Sequence, residues 1–273
     1  MRTSVKVYAL GTGGAIQSAR RDNTSLLVIM NGKCVLVDFP GSVCRKIEAL
    51  GINSLSVRTA LITHRHIDHI YGLPSFFHNH WLRLKNQIGI PKDLRNENYS
   101  LRMLIPQDAL STIEGLVSLF GFDVRPEMFP FELKVFSEGR SYIDLWDGWQ
   151  IEVIPANHGG VVCFGFIFEH LHAGIRIAYS GDSEPTDTFL QAASGANLII
   201  HDCETICKGP IGHSDAEALV QAISRYEPPK RFVPIHIEGI PEDPAQELLQ
   251  ILADVKSDII IPEDGMLLLD LNE

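Results

Sequence analysis

The stretch "ITHRHIDHI" (residues 62–70) packs three histidines and one aspartate into positions 64–69, directly behind an apolar run. His64 and His66 are two apart at a strand end, where an extended chain points both side chains the same way. Asp68 and His69 follow where the chain turns toward a helix. Neutral imidazole and carboxylate are good ligands for zinc and similar ions. One ion cannot comfortably use all four groups together with a substrate and water, but two ions could share them. The alternative is a surface turn that gathered histidines by chance. With only 11 histidines in 273 residues, so dense a cluster argues against it.

Outward from this cluster, strands and helices alternate. Upstream, "SVKVYAL" (4–10) alternates as a strand does, and "TSLLVIM" and "CVLVDF" read as two more joined by Asn31-Gly32, a hairpin turn signal. "SVCRKIEALG" (42–51) reads as a helix closed by Gly51, and "RTALIT" (58–63) as a short buried strand leading into the histidines. Downstream, an amphipathic helix spans 107–120. "WQIEVIPA", "VVCFGFIFE", "IRIAYSG" and "NLIIHD" read as strands. A helix over 214–227 takes Ser214 as its N-cap; "RFVPIHI" is a strand, "PAQELLQILADV" a helix, and "DIIIPEDGMLLLD" two closing strands. Residues 85–100 form a polar surface loop. There is no repeat or low-complexity tract, so residues 1–273 read as one α/β domain of two sheets covered by helices. His158, Asp182 and His236 each fall at a later strand end, where rigid sheets position functional groups.

Composition sets bounds. At 45% hydrophobic and 21% charged, the chain can bury a large core. No window reaches the ~18 apolar residues of a membrane span. The N-terminus reads as a first strand, not a secretory signal, which places the protein in the cytoplasm. Cys34, Cys44, Cys163, Cys203 and Cys207 are odd in number, scattered and without a CxxC pair, as expected of reduced thiols. The net charge of −11 repels anionic polymers on average.

With these residues in place, the sequence resembles the metallo-β-lactamase superfamily. "HRHIDH" matches its HxHxDH signature, and His158, Asp182 and His236 stand where its remaining ligands are expected. The resemblance covers nearly the whole chain and implies a four-layer αββα sandwich with a two-metal site along one edge. By that resemblance His64, His66 and His158 hold the first ion, Asp68, His69 and His236 the second, and Asp182 bridges both. Nitrogen and oxygen ligands allow zinc, manganese or iron; zinc is the expected ion.

The N-terminal "ALGTGGAIQSARRDNTSLLV" and the segment "HIYGLPSF" resemble the ribonuclease Z branch and its phosphodiesterase relatives. A dinucleotide site is disfavoured, because Gly11, Gly13 and Gly14 leave GxGxxG incomplete at Ile16. "HDCE" (201–204) stands where ribonuclease Z has His-Glu-Ala-Thr, and "GHSD" (212–215) where it has His-Ser-Thr. The resemblance makes His213 the proton donor to the leaving group, oriented by Asp202, although Asp202 is one methylene shorter than the family's Glu. It further implies hydrolysis by a hydroxide bridging two ions ~3.5–4 Å apart, with Asp68 orienting it.

Ribonuclease Z grips tRNA with a long arm inserted between the ligands matching His158 and Asp182. Here 23 residues separate the two, enough only for strand, turn and strand. The 85–100 loop carries Lys85, Lys92 and Arg95 but also Asp93 and Glu97. The expected substrate is therefore a small phosphodiester, such as a cyclic nucleotide, and nucleic acid is disfavoured. Alternatives are a tRNA 3′ endonuclease of the ribonuclease Z type, a lactone or thioester hydrolase, and a non-catalytic metal-bound sensor. A homodimer is the oligomer common in this branch. Other groups read as bystanders: His78 and His80 as pocket wall or surface, His170 and His172 as a solvated turn, Phe76, Phe77 and Trp81 as core. Arg20 and Arg21 read equally well as a phosphate contact or a solvated loop.

Overall fold

Period-two alternation builds both sheets. Along β1 (Ser4–Gly11), Val5, Val7 and Ala9 face one core while Leu10 faces another. Along β2 (Ser25–Met30), Leu26, Val28 and Met30 oppose Leu27 and Ile29 in the same way. Both faces are covered, so such strands read as continuous apolar runs. Each large side chain buried this way contributes on the order of 2 kcal/mol. The computed structural model describes residues 3–91, 94, 98–136, 139–238 and 242–272.

The first sheet continues through β3 (Lys33–Val37), β4 (Val57–Leu61), β5 (Leu101–Pro106) and β6 (Phe131–Phe136). The second contains β7 (Ser141–Asp144), β8 (Trp149–Pro155), β9 (Phe164–His170), β10 (Ile175–Tyr179), β11 (Leu198–Asp202), β12 (Arg231–Ile235) and β13 (Asp258–Ile259). The late strand β14 (Leu267–Asn272) returns to pair antiparallel with β1. The orders are β14-β1-β2-β3-β4-β5-β6 and β13-β12-β11-β10-β9-β8-β7. The two inner faces meet in one core, in which Phe164, Phe166 and Phe168 of β9 lie with Val5, Val28 and Val35. On the outer face of the first sheet sit α1 (Val43–Ala49), α2 (Ile67–Ile70), α3 (Leu73–Lys85) and α4 (Leu110–Leu119). On the outer face of the second sit α5 (Asp187–Ala193), α6 (Ala216–Ile223) and α7 (Ala245–Leu252). The four-layer αββα sandwich expected from the sequence is the architecture observed.

Each sheet is antiparallel in one half and parallel in the other: β3 to β6 run parallel, as do β10 to β13. Parallel strands deliver their carboxyl ends to the same side, which is where open α/β sheets place ligand-binding groups. Asn31 and Gly32 adopt φ of 50° and 80° at the β2–β3 turn, the left-handed pair a tight hairpin requires.

Several local expectations need correction. α6 begins at Ala216 with Asp215 as its N-cap, accepting from Ala218 N at 2.7 Å. Ser214 is not the cap, because its hydroxyl donates to Ser183 O at 2.7 Å. The sequence reading does not anticipate β5, β6 and β7. His80 lies in the core, stacked on Phe76 at 3.9 Å between centroids, and not on a wall or surface. His170 is buried against Trp149, while His172 is exposed. Arg21 is buried in an ion pair with Asp243 at 2.9 Å, so it is neither a solvated loop residue nor a phosphate contact. Phe76 and Phe77 are core, as expected. Lys92, Asp93, Arg95 and Glu97 lie outside the described residues. Among the described residues no helix is long and apolar enough to cross a membrane.

Candidate active site

The chain past β4 carries Thr63, His64 and His66 out of the sheet, and α2 then supplies Asp68 and His69. Two backbone bonds lock this turn to the end of β3: Phe39 N donates to His69 O at 2.7 Å, and Gly72 N donates to Phe39 O at 2.8 Å. Gly72 is required here by space. A Cβ at that position would lie 1.9 Å from Pro40 O.

From the second sheet, His158 follows β8, Asp182 follows β10 and His236 follows β12. They meet the first cluster. The rings of His64, His66 and His158 lie 4.5–4.9 Å apart, with His66 Nδ1 3.1 Å from His158 Nε2. Asp182 Oδ2 lies 3.3 Å from His69 Nε2, 3.2 Å from His236 Nε2 and 3.7 Å from His64 Nε2. Asp68 Oδ2 is 3.3 Å from His69 Nε2. All seven residues named from the sequence therefore converge, contributed by both sheets.

Burial normally forces polar atoms to find partners. Here the Nε2 atoms of His64, His69 and His236 and the Oδ1 of Asp182 are buried without a hydrogen-bond partner. They sit in two donor groups within 4.8 Å, His64–His69–Asp182 and Asp68–His69–His236. His64, His66 and His158 form a third such group. Unpartnered nitrogen and oxygen donors aimed at one another, without a thiolate among them, fit divalent metal ions.

Partners behind the imidazoles fix which nitrogen faces inward. His69 Nδ1 donates to Asp38 Oδ2 at 2.8 Å. Thr63 Oγ1 donates to the same oxygen at 2.8 Å and accepts from His64 Nδ1 at 3.0 Å. His158 Nδ1 donates to Gly212 O at 2.9 Å. Each leaves Nε2 with its lone pair free, the tautomer a metal ligand needs. The sequence reading missed Asp38 and Thr63. The available signal was an acidic residue closing the apolar strand "CVLVDF".

Within the cluster, burial and neighbouring charges oppose one another. Burial alone would raise the Asp182 carboxyl, but His236 and His69 beside it hold it well below the usual range. Burial would likewise raise Asp68, and the adjacent His69 outweighs it. Conversely, burial would lower His236, yet Asp182 pushes it up to about 9. Gly14 packs against that ring: a Cβ there would come within 3.3 Å of it. The glycine-rich turn after β1 is thus a backing for His236, tied down by Gly14 N donating to Ile237 O and Ile237 N donating to Thr12 O.

His213 stands beside these groups but outside the HxHxDH set. Its ring lies 4.6 Å from His158 and is stacked 4.8 Å from His236. Its Nδ1 donates to Asp202 Oδ2 at 2.8 Å. Asp202 is fully buried and also accepts from Ser183 N at 2.9 Å, so the shorter side chain is held at the required reach. Burial lowers the His213 imidazole's pKa, and the bond to Asp202 more than offsets this, leaving it raised. An open groove of about 850 Å³ adjoins the cluster, lined by Arg65, Ile67, Tyr71, Leu119, Phe120 and Arg125, with His78 on its wall.

Two packed sheets with this His/Asp cluster at one edge define a metallo-β-lactamase fold protein of the ribonuclease Z-like type. The chain belongs to the family described as "Anti-Pycsar protein Apyc1", whose model matches residues 5–227. It is 28% identical to "Ribonuclease Z" of Mycobacterium sp. (strain KMS) over 207 residues, covering 72% of this chain and 68% of that protein. It is 26% identical to "Ribonuclease Z" of Metallosphaera sedula, covering 95% of this chain and 97% of that one. Among solved structures, the metallo-beta-lactamase fold protein YhfI from Bacillus subtilis superposes with a TM-score of 0.79 at 14% identity, covering 98% and 99% of the two chains. The human tRNase Z short form gives 0.73 at 18% identity, covering 97% and 98%. The chain is thus a member of a hydrolase superfamily, with a donor set that fits divalent metal.

Proposed function

We propose that the protein is a binuclear metal-dependent phosphodiesterase acting on a small phosphodiester. In this reading His64, His66 and His158 would hold one divalent ion, Asp68, His69 and His236 would hold a second, and Asp182 would contribute to holding both. When bound, the ions supply positive charge that acidifies water and offsets the charge gathering on the phosphoryl oxygens. Asp68, kept ionised, would accept a hydrogen bond from the attacking water and so orient it. His213 gives its Nε2 proton to the departing oxygen while Asp202 keeps the Nδ1 proton in place. The observation that carries this reading is the His213–Asp202 pair. An alkoxide is a poor leaving group and needs an acid; lactone and thioester hydrolysis does not need this one.

The substrate's size follows from what separates His158 and Asp182. The β9–β10 hairpin fills that interval, so no arm extends there to grip a folded RNA. The net charge of −11 adds no compensating attraction for a polyanion. A cyclic nucleotide or similar metabolite fits, its non-reacting part lying in the groove beside Tyr71 and Phe120. The ribonuclease Z names of the relatives favour a second reading, tRNA 3′ processing. The deciding experiment compares small phosphodiesters, a lactone, a thioester and a precursor tRNA at one near-physiological salt concentration. Hydrolysis of the small phosphodiesters well above the rest is expected. Efficient, site-specific removal of the tRNA trailer would overturn the proposal in favour of the second reading.

A further inference from the structure

Three segments reach the site from separate places: Asn157–His158 after β8, Asp182–Glu184 after β10, and Gly212–His213 on the loop between β11 and α6. One side chain ties them together. Glu184 Oε2 accepts from Asn157 Nδ2 at 2.8 Å, and Glu184 Oε1 accepts from Gly212 N at 2.9 Å. Its own backbone N donates to Asn157 O at 2.9 Å. Gly212 is therefore held at both ends. Its N–H is taken by Glu184, and its carbonyl accepts the Nδ1 proton of His158 at 2.9 Å. His213 is the next residue.

The fit around Gly212 is close. Its φ of 92° lies in the left-handed region, and a Cβ would stand 2.5 Å from Gly159 N and 2.7 Å from His158 C. Only glycine can occupy the position, and a glycine peptide has the most conformational freedom to lose. Something must hold it. A carboxylate accepting a backbone N–H makes a short, charge-assisted bond suited to that task.

We infer that Glu184 is a positioning residue that aligns the candidate metal ligand His158 and the candidate proton donor His213 in one act, through Gly212. The inference rests on the phosphodiesterase reading for the role of His213, though not for the role of His158. When Glu184 is removed, Gly212 N loses its partner while Ser214 and His213 keep theirs on Ser183 and Asp202, so the Gly212 carbonyl is held less closely against His158 and His213 is aligned less tightly. Losing a partner behind a metal ligand typically weakens metal affinity by about 10- to 100-fold.

The test measures zinc affinity by competition with a chromophoric chelator, alongside hydrolysis of phosphodiesters with activated aryl and unactivated alkyl leaving groups. Glu184→Ala is expected to bind the weaker-held zinc about 10-fold less tightly or worse, and to lose more rate on the alkyl than on the aryl substrate. Glu184→Gln should recover most of both losses: its amide oxygen can accept from Gly212 N while its NH2 meets a flipped Asn157 amide. Should the alanine variant not fold, Glu184→Asp, too short to span both partners, carries the same comparison against Glu184→Gln. Wild-type zinc affinity together with equal rate losses on both substrates would overturn the inference, as would a Gln variant as impaired as the Ala variant. If the wild-type protein cleaves no phosphodiester, the functional reading fails and the chelator measurement alone still decides Glu184.

Discussion

His213 Nδ1 and Asp202 Oδ2 are 2.8 Å apart, and the carboxylate oxygen that receives His213 also receives the backbone N of Ser183. The aspartate is thus bolted to the segment carrying Asp182, and the imidazole is hung from it with Nε2 free to face a substrate. His213→Ala should keep the full metal content while losing rate. The loss should reach about 10²-fold or more on alkyl leaving groups and be small on nitrophenyl ones, which barely need a proton. Kinetics on a leaving-group series with metal analysis of the same samples checks this; equal losses across the series would remove His213 from the role.

His64→Ala and Asp182→Ala each remove a buried donor from the centre of the cluster. Both variants should purify with less metal and without hydrolytic activity. Asp38→Asn is the subtler case. It keeps the volume but weakens the hold on His69 Nδ1, so metal affinity should fall about 10- to 100-fold with the fold intact. Metal analysis after dialysis against graded chelator distinguishes the three; an unchanged complement in Asp182→Ala would exclude the assignment.

Gly72→Ala inserts a methyl group where the carbonyl of Pro40 already lies. The junction between β3 and α2 must open, and overpacking of this sort costs about 1–3 kcal/mol. Because α2 carries Asp68 and His69, the variant should lose stability and metal affinity together. Denaturant unfolding and chelator competition on the same preparation would show whether the two losses coincide.

His80 gives a pH dependence that is separate from the site. The carbonyl oxygens of Phe76 and Ser54 lie 3.0 and 3.1 Å from its two ring nitrogens. Burial dominates them and lowers its pKa from 6.5 to about 4. Between these values the unfolded chain binds the extra proton and the folded chain does not. The contribution to stability is therefore whole above pH 6.5 and shrinks as pH falls toward 4, by on the order of 1 kcal/mol per pH unit. His80→Gln should flatten the fall in stability across that window relative to the wild type. Parallel slopes in urea unfolding at several pH values would contradict the assignment.

The donors were legible because their chemistry is local. HxHxDH is six consecutive residues, and His158, Asp182 and His236 each end an apolar strand. The supporting parts were not. Asp38 is a single carboxylate 31 positions from His69, and only the packing of β3 beside β4 shows that they bond. Glu184 reads as an ordinary polar residue until Gly212 is brought against it. The inner-face strands were clear where period-two apolar residues run unbroken, as in β9. β5 to β7 were hidden because a short apolar run such as "LRMLIP" carries no period of its own. Ser214 reads as a cap because a hydroxyl before a helix usually serves as one; in the fold a tertiary partner, Ser183 O, claims it and Asp215 caps instead.

β14 comes last among the described strands, yet it pairs with β1 of the first sheet. The site is likewise divided, with four of its candidate donors on residues 64–69 and three on residues 158–236. Neither the first sheet nor the candidate donor cluster can therefore close until the segments through β14 and His236 are present. Ions seated between the two sheets would act as a stitch across the sandwich seam, so the melting temperature should rise with free metal concentration. A fragment that stops before β10 would carry only the four candidate donors on residues 64–69 and His158, without Asp182 to join them.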